Sequence, residues 1–176
     1  IVDGFQQTDL CDVVIFPPFP YLQAIETVIA DSAISLGSQD VWHEQSGAFT
    51  GEVSNSMLLD VGCNFVLAGH SERRHVIGET NELIHQKVVA SIAEGLQVIL
   101  CVGDTKDQRN AGETMNIVFS QVASGLDGLS KQDMVNVVIA YEPVWAIGTG
   151  DTAIPEDAQT VHAAIRAQLE TQFDET

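Results

Sequence analysis

The sequence predicts an α/β protein built on a parallel sheet with helices packed against it. Short apolar runs rich in Val and Ile recur along the chain without polar alternation, which is typical of strands buried on both faces. Longer stretches with a helical spacing of apolar residues separate these runs, and this strand–helix–strand order favours parallel pairing through right-handed crossovers. The pattern alone does not distinguish an open doubly wound sheet from part of a barrel.

Five of the apolar runs are expected to be strands. They cover residues 13–16, 34–36, 65–67, 98–102 and 135–140. Residues 1–10 read as the end of a helix or as a loop. No linker or low-complexity tract divides the chain, so residues 1–176 are expected to form one domain.

Five amphipathic stretches are expected to be helices. They cover residues 21–30, 54–61, 80–94, 113–124 and the segment from 155 onward. Ser54 is a suitable N-cap, and Pro155 suits the first turn of a helix because its missing N–H would have no partner there.

The composition excludes several classes of protein. Hydrophobic residues make up 45% of the 176 residues, enough for a buried core, which argues against intrinsic disorder. The 25 acidic and 7 basic residues give a formal net charge of −18, which repels nucleic-acid backbones and anionic lipid surfaces. No apolar run reaches the roughly 18 residues of a membrane-spanning helix. Neither nucleic acid nor a membrane is therefore an expected partner.

The cysteines and the N-terminus point to the cytoplasm. Three cysteines without CxxC spacing are expected in a reducing compartment rather than in a disulfide scaffold. The first residues do not resemble a signal peptide, and the sequence begins at Ile1 as if within a longer chain. We expect a cytoplasmic protein.

A histidine and a glutamate each follow directly on a predicted strand. His70 lies after the run at 65–67, and Glu142 lies after the run at 135–140. Parallel α/β folds place their sites at these carboxyl ends of strands. Pro143 and Trp145 can desolvate the Glu142 carboxylate enough for a general base. The alternatives are a capping or packed histidine beside a surface arginine pair, and an exposed loop glutamate.

A loop of small residues follows Glu142 and contains Gly148 and Gly150. It has the flexibility of a lid and backbone N–H groups for an anion, but it is neither a P-loop nor a GxGxxG fingerprint. Cys101 is expected in the core. No metal site is expected, because no metal-binding spacing joins the remaining histidines, which are His43, His75, His85 and His162.

Taken together, these segments resemble the triosephosphate isomerase family. Its two signature motifs resemble Ala68-Gly69-His70-Ser71-Glu72-Arg73-Arg74 and Ala140-Tyr141-Glu142-Pro143-Val144-Trp145-Ala146-Ile147-Gly148-Thr149-Gly150. Shorter matches in order and spacing are Phe16-Pro17-Pro18, Gly47-Ala48-Phe49-Thr50-Gly51-Glu52 and Cys101-Val102-Gly103. The resemblance covers essentially the whole chain and implies a partial (β/α)8 TIM barrel of about five parallel strands that does not close.

The resemblance implies an aldose–ketose isomerase of glycolysis and gluconeogenesis. This family interconverts dihydroxyacetone phosphate and glyceraldehyde 3-phosphate through an enediolate, without a cofactor. The resemblance implies that Glu142 is the base, that neutral His70 is the electrophile and that Glu72 is a carboxylate behind the site. Gly148 would bind the substrate phosphate, and Thr50 would insert into a neighbouring subunit, so a homo-oligomer is expected. The implied lid loop consists of Pro143, Val144, Trp145, Ala146, Ile147, Gly148, Thr149 and Gly150.

The resemblance extends over units two to six of a barrel that has eight βα units and roughly 250 residues. The family's first strand, with the lysine of an Asn-x-Lys motif, has no counterpart in this sequence, and neither do its last two units with their glycine-rich phosphate loops. Lys87, Lys106 and Lys131 stand at helix or loop positions that cannot supply that lysine. We therefore expect this chain by itself to be weakly active or inactive.

Three aspartates depart from the family's usual residues. Asp40 stands in place of Asn, Asp104 in place of Glu and Asp151 in place of Lys. The strands at 13–16 and 135–140 are expected to be open edges, because five strands cannot close a barrel. The alternative function is a non-catalytic barrel segment that self-associates through these edges. A different phosphate-binding barrel enzyme fits the two motifs less well.

Overall fold

A computed structural model describes residues 11–173, so the expectation for residues 1–10 lies outside the described part of the chain. The five strands form one parallel sheet in the order β1-β2-β3-β4-β5. They are β1 (Val13–Ile15), β2 (Ile34–Ser38), β3 (Phe65–Ala68), β4 (Gln97–Val102) and β5 (Val137–Tyr141).

The strand order answers the question that the sequence pattern left open. A doubly wound sheet reverses its order at a switch point, whereas this sheet runs in chain order from one edge to the other. That is the winding of a barrel. Within residues 11–173, β1 and β5 each pair with a strand on one side only, so the fold is an open half-barrel consistent with a partial TIM barrel.

Between residues 11 and 173, six α-helices flank the sheet. They are α1 (Leu22–Ile29), α2 (Asn55–Asp60), α3 (Asn81–Ala93), α4 (Lys106–Asn110), α5 (Thr114–Gly125) and α6 (Pro155–Phe173). Ser54 caps α2 as expected, because its Oγ accepts a hydrogen bond from the N–H of Met57 at 3.4 Å. None of the helices between residues 11 and 173 is both long and apolar enough to cross a membrane.

Two predicted strands include residues that lie outside the observed strands, and one α-helix of the described residues was not predicted. Val135 lies in a 3₁₀ turn (Asp133–Asn136) with 80% of its surface exposed, so β5 begins only at Val137. Phe16 lies beyond β1, and its carbonyl accepts a hydrogen bond from the Gln39 side chain instead of a neighbouring strand. The unpredicted helix is α4, whose five residues are too few to show a periodic apolar pattern.

The core lies between the sheet and the helices. Alternate strand residues such as Val66, Val98 and Leu100 are fully buried there, and Ile84 of α3 and Val118 of α5 belong to the same cluster. Burial of these side chains holds the helices against the convex face of the sheet. The carboxyl ends of the strands are thereby presented on one rim.

Cys101 lies in the core, as expected, with 3% of its surface exposed. Burial raises the pKa of its thiol to about 12. The side chain therefore stays protonated and unreactive at neutral pH.

Candidate active site

The fold brings His70 and Glu142 together on the rim. His70 follows β3 and Glu142 follows β5, and β4 lies between these two strands. The Nε2 atom of His70 is 3.0 Å from Oε1 of Glu142. The Glu142 side chain is only 17% exposed, whereas that of His70 is 34% exposed. The two residues singled out from the sequence thus share one half-buried site.

The hydrogen bonds of His70 define its tautomer. The N–H of Glu72 donates to Nδ1 of His70 at 3.4 Å, so this nitrogen acts as a hydrogen-bond acceptor. In a neutral ring with this hydrogen bond, the proton resides on Nε2, the atom that faces Glu142. The imidazole both caps the following turn, as one alternative expected, and presents an N–H to the site.

Glu142 is oriented by the chain around His70. Its Oε2 accepts a hydrogen bond from the N–H of Ser71 at 2.9 Å, and the Ser71 hydroxyl lies 3.5 Å from Oε1. The N–H of Glu142 donates to the Val102 carbonyl at 2.8 Å, which fixes the start of the loop to β4. Ser71 was part of the motif quoted from the sequence, but only the fold shows that it contacts Glu142.

Arg74 is not the surface residue that the alternative interpretation expected. Its guanidinium donates to the carbonyl of Gly69 at 2.7 Å, to Oδ1 of Asn81 at 2.7 Å and to the carbonyl of Cys101 at 3.0 Å. It therefore joins the ends of β3 and β4 to the start of α3. Gly69 has φ +76°, and a Cβ there would lie 2.6 Å from Arg74 Nη2, so this position requires glycine.

A buried aspartate anchors the chain on the other side of Glu142. Asp104 is fully buried, and its Oδ1 accepts a hydrogen bond from the Tyr141 hydroxyl at 2.7 Å. The indole N–H of Trp145 in turn donates to that hydroxyl at 3.3 Å. Burial raises the pKa of Tyr141 to about 12, so the phenol remains a donor at neutral pH. Asp104, one of the family departures, thus fixes the residues that flank Glu142.

Gly103 allows the backbone of Glu142 to approach β4 closely. A Cβ at this position would lie 2.0 Å from the Glu142 carbonyl oxygen and 3.2 Å from Cγ2 of Val144. Gly103 cannot move aside, because Gln121 accepts from its N–H at 2.8 Å and donates to its carbonyl at 3.1 Å.

We expect Gly103→Ala to lower the free energy of unfolding by about 1–3 kcal/mol, because the methyl group must displace the Glu142 backbone. Urea unfolding measures this loss, and the backbone amide shifts of Glu142 and Val144 report the displacement. An unchanged unfolding midpoint with unchanged amide shifts would contradict the close approach.

Glu72, Thr50 and the second half of the predicted lid loop lie on the surface, whereas Trp145 of that loop is buried. Glu72 is 81% exposed, and its Oε2 is 3.9 Å from Nδ1 of His70. The middle of the predicted lid loop, from Ile147 to Gly150, is exposed, and Gly148 has φ +69°. Thr50 is exposed at the tip of its loop. Their predicted roles remain predictions.

His70 also forms one wall of an open cleft of about 450 Å³. The other lining residues are Phe16, Gln39, Leu67, Glu72, Arg73, Val76 and Ile77. Among the described residues, no three His, Cys, Asp or Glu side chains come together as metal ligands would.

A buried ion cluster behind the site was missed in the sequence. Lys87 of α3, 1% exposed, places its Nζ 2.6 Å from Oδ1 of Asp40 and 2.5 Å from Oε1 of Glu79. Arg73 contacts the same two carboxylates at 2.9 and 2.6 Å. Burial raises the pKa of Asp40, although Lys87 opposes this effect. The departure at Asp40 was the one signal in the sequence that pointed here.

The chain was compared with known proteins. A family model described as triosephosphate isomerase matches residues 2–176. The chain belongs to the triosephosphate isomerase family. A triosephosphate isomerase of Chloroflexus aurantiacus is 52% identical over 158 residues, which are 90% of this chain and 63% of that protein. One of Herminiimonas arsenicoxydans is 51% identical over 90% of this chain and 64% of the relative. The chain thus spans less than two thirds of the length of these two relatives.

The family membership agrees with the fold and with the site. A third relative, from Rhodopirellula baltica, is 46% identical over 98% of this chain and 68% of its own length. These relatives bear the name of an isomerase, and the half-barrel carries the two motifs of the triosephosphate isomerase family on neighbouring parts of one rim.

Proposed function

We propose that this chain carries the base and the electrophile of a triosephosphate isomerase, which interconverts dihydroxyacetone phosphate and glyceraldehyde 3-phosphate. The observation that supports this most directly is the contact of 3.0 Å between Nε2 of His70 and the Glu142 carboxylate. Aldose–ketose isomerisation needs a base beside a carbon acid and a donor at the adjacent oxygen. The pair supplies both groups.

In the proposed reaction, Glu142 removes a proton from the carbon next to the substrate carbonyl. The Nε2–H of His70 donates a hydrogen bond to the carbonyl oxygen, where negative charge develops as the enediolate forms. Return of the proton from Glu142 to the neighbouring carbon, together with transfer of the hydroxyl proton from one enediolate oxygen to the other, gives the isomeric product. Atoms and charge balance without a cofactor or a metal.

The geometry indicates what must change when substrate binds. The Nε2–H of His70 is directed at Glu142, so it becomes available to a substrate oxygen only when the carboxylate moves away. Such a movement also breaks the hydrogen bond from the Ser71 N–H, and the loss of both donors makes the carboxylate a stronger base. Closure of residues 143–150 over the site would exclude water, and the N–H of Gly148 would then bind the phosphate.

We propose weak or absent turnover for this chain alone. The sequence contains neither an Asn-x-Lys motif nor the last two glycine-rich loops of the family. A dianionic phosphate would meet a chain with a net charge of −18 and without the family's lysine. Loss of a single group that stabilises developing charge costs about 10²–10³ in rate.

The test compares the chain with a chimera in which residues 11–173 replace the matching part of the Chloroflexus aurantiacus relative. We expect the chimera to isomerise glyceraldehyde 3-phosphate and the chain alone to be at least about 10²-fold slower. Deuterium incorporation from D₂O into dihydroxyacetone phosphate detects the proton transfer separately. A folded chimera that neither turns over nor exchanges would contradict the proposed function.

A second candidate is a barrel segment that self-associates, and the surface favours it. Val138 of the edge strand β5 is 48% exposed, and Val76 and Ile77 beside the cleft are 78% and 64% exposed. Unpaired strand edges with apolar neighbours promote association. Sedimentation over a range of micromolar concentrations tests this, and a single monomeric species throughout would contradict it.

A further inference from the structure

One short helix contacts the predicted lid segment (residues 143–150) near its start and contacts the residue that directly follows it. That helix is α4 (Lys106–Asn110), which begins soon after β4 ends. Thr105 and Gln108 cap α4 reciprocally, since Gln108 Oε1 accepts from the Thr105 N–H at 2.9 Å and Thr105 Oγ1 accepts from the Gln108 N–H at 3.4 Å. This capping box gives the helix a defined start despite its length.

Arg109 of α4 contacts the first end of the lid segment. Its Cζ lies 3.8 Å from the centre of the Trp145 ring, and Trp145 is 5% exposed. Arg109 Nη2 is also 2.7 Å from Oδ1 of Asp157 on α6. Asp157 Oδ2 in turn accepts from the N–H of Ile154 at 3.2 Å, just before that helix begins. Arg109 therefore links Trp145 to the chain that follows the lid segment.

Lys106 of α4 contacts the second end. Its Nζ is 2.6 Å from Oδ2 of Asp151, the residue directly after Gly150. Both side chains are about half exposed, so this is a surface ion pair.

Among the described residues, none makes a comparable contact with the middle of the lid segment. Ile147, Gly148, Thr149 and Gly150 are exposed, and the two glycines have φ of +69° and +85°. Thr149 makes a local contact only, because its hydroxyl donates to the Trp145 carbonyl at 2.7 Å. Movement of this middle part therefore depends on the two ends that α4 contacts.

We propose that α4 clasps the lid segment at both ends, with Lys106 and Arg109 as positioning residues that limit how often the lid opens. The catalytic meaning of the clasp rests on the proposed function, but the clasp itself does not need substrate. The Lys106–Asp151 pair is the part that salt weakens, because exposed charges are screened. The stack of Arg109 on Trp145 depends less on salt, since Trp145 is buried.

Amide hydrogen exchange in the substrate-free chain tests the clasp. Two lid amides report opening, because Ala146 donates to the Pro143 carbonyl and Ile147 to the Val144 carbonyl. The Asp151 N–H, which donates to the Thr149 hydroxyl, reports on the junction after the lid in the variants that keep Asp151. We expect Lys106→Met and Asp151→Asn each to accelerate exchange of the two lid amides about two- to fivefold at low salt, the range of an exposed ion pair. Methionine keeps most of the aliphatic stem of Lys106, so the charge is the main loss.

The controls separate a clasp from a general loss of stability. Exchange in β4 should not change, and the charge-swapped double variant Lys106→Asp with Asp151→Lys should return lid exchange to the wild-type rate. About 0.5 M NaCl should bring the wild type to the rate of the single variants. Arg109→Met should accelerate lid exchange at both salt concentrations.

Unchanged lid exchange in both single variants would overturn the proposal. An acceleration that extends equally to β4, or a swapped pair that fails to restore the rate, would overturn it as well. Because no substrate is present, these results stand apart from the isomerase assay. An inactive chimera contradicts the proposed function and leaves the exchange result intact. Unchanged lid exchange contradicts the clasp and leaves the isomerase result intact.

Discussion

Glu142→Gln is expected to reduce isomerase turnover of the chimera by about 10²–10⁴-fold, the contribution of a positioned general base. Glutamine has the shape of glutamate but cannot take up a proton at neutral pH. Its amide oxygen can accept from Nε2 of His70 or from the N–H of Ser71, while its NH₂ group faces the other donor. We therefore also expect a stability loss of about 1 kcal/mol, which is small beside the effect on rate.

The matched control is Glu170→Gln, the same change at an exposed position of α6. It should leave turnover unchanged. The assay follows isomerisation of glyceraldehyde 3-phosphate, with deuterium incorporation as the second measurement. A Glu142→Gln chimera that keeps more than about a tenth of the wild-type rate would refute Glu142 as the base, because the His70–Glu142 pair would then contribute too little to the rate. Equal, near-zero rates for the chain alone with and without the substitution fit a site that is present but incomplete.

Lys87→Met is expected to lower the free energy of unfolding by about 3–5 kcal/mol, which makes it the largest stability effect that we predict. Lys87 and Arg73 together neutralise Asp40 and Glu79, and the cluster is buried apart from part of Arg73. Removal of Lys87 leaves two buried carboxylates with one cation. Glu79 Oε2 already has no hydrogen-bond partner among the described residues, so the cluster cannot compensate internally.

Urea unfolding measures this effect, and two further variants identify its cause. Lys106→Met makes the same change in a half-exposed ion pair, where the expected loss is below about 1 kcal/mol. Adding Asp40→Asn to Lys87→Met restores equal numbers of positive and negative charges and should recover part of the lost stability. A double variant as unstable as the single one would show that lost packing, not charge, is responsible.

The pH dependence of Lys87→Met follows from the same cluster. Burial already raises the pKa of Asp40, and the loss of Lys87 raises it further. The folded variant then binds a proton more tightly than its unfolded state does, so its stability relative to wild type should improve as the pH falls through that raised pKa. A gap between the two proteins that stays constant from pH 7 to pH 5 would contradict this account.

The candidate site was largely predictable because its main residues carry a local signal. His70 and Glu142 each follow a run of Val, Ile and similar residues, and position after a buried strand is legible from a few neighbouring residues. Helix caps such as Ser54 are equally local. The start of β5 was misplaced because Val135 has high strand propensity but no neighbour to pair with, and tertiary context overrides propensity.

The contacts of Lys87 could not be predicted from its surroundings in the sequence. It lies on α3 like any polar helix residue, and its partner Asp40 is 47 residues away. The helix α4 gave no periodic signal, and its contacts with Trp145 and Asp151 cross a large part of the chain. Such pairings depend on how the helices pack against the sheet, and no local sequence pattern encodes this packing.

The sequence by itself determined the order of strands and helices, the parallel α/β class and the two motifs that hold His70 and Glu142. Only the tertiary structure decided that the sheet winds in barrel order, that Ser71 orients Glu142 from 71 residues away and that α4 contacts both ends of the lid segment. The physical reason is the separation along the sequence over which each effect acts. Propensity, capping and periodicity act over a few residues, whereas burial and ion pairing join residues that come together only when the layers pack.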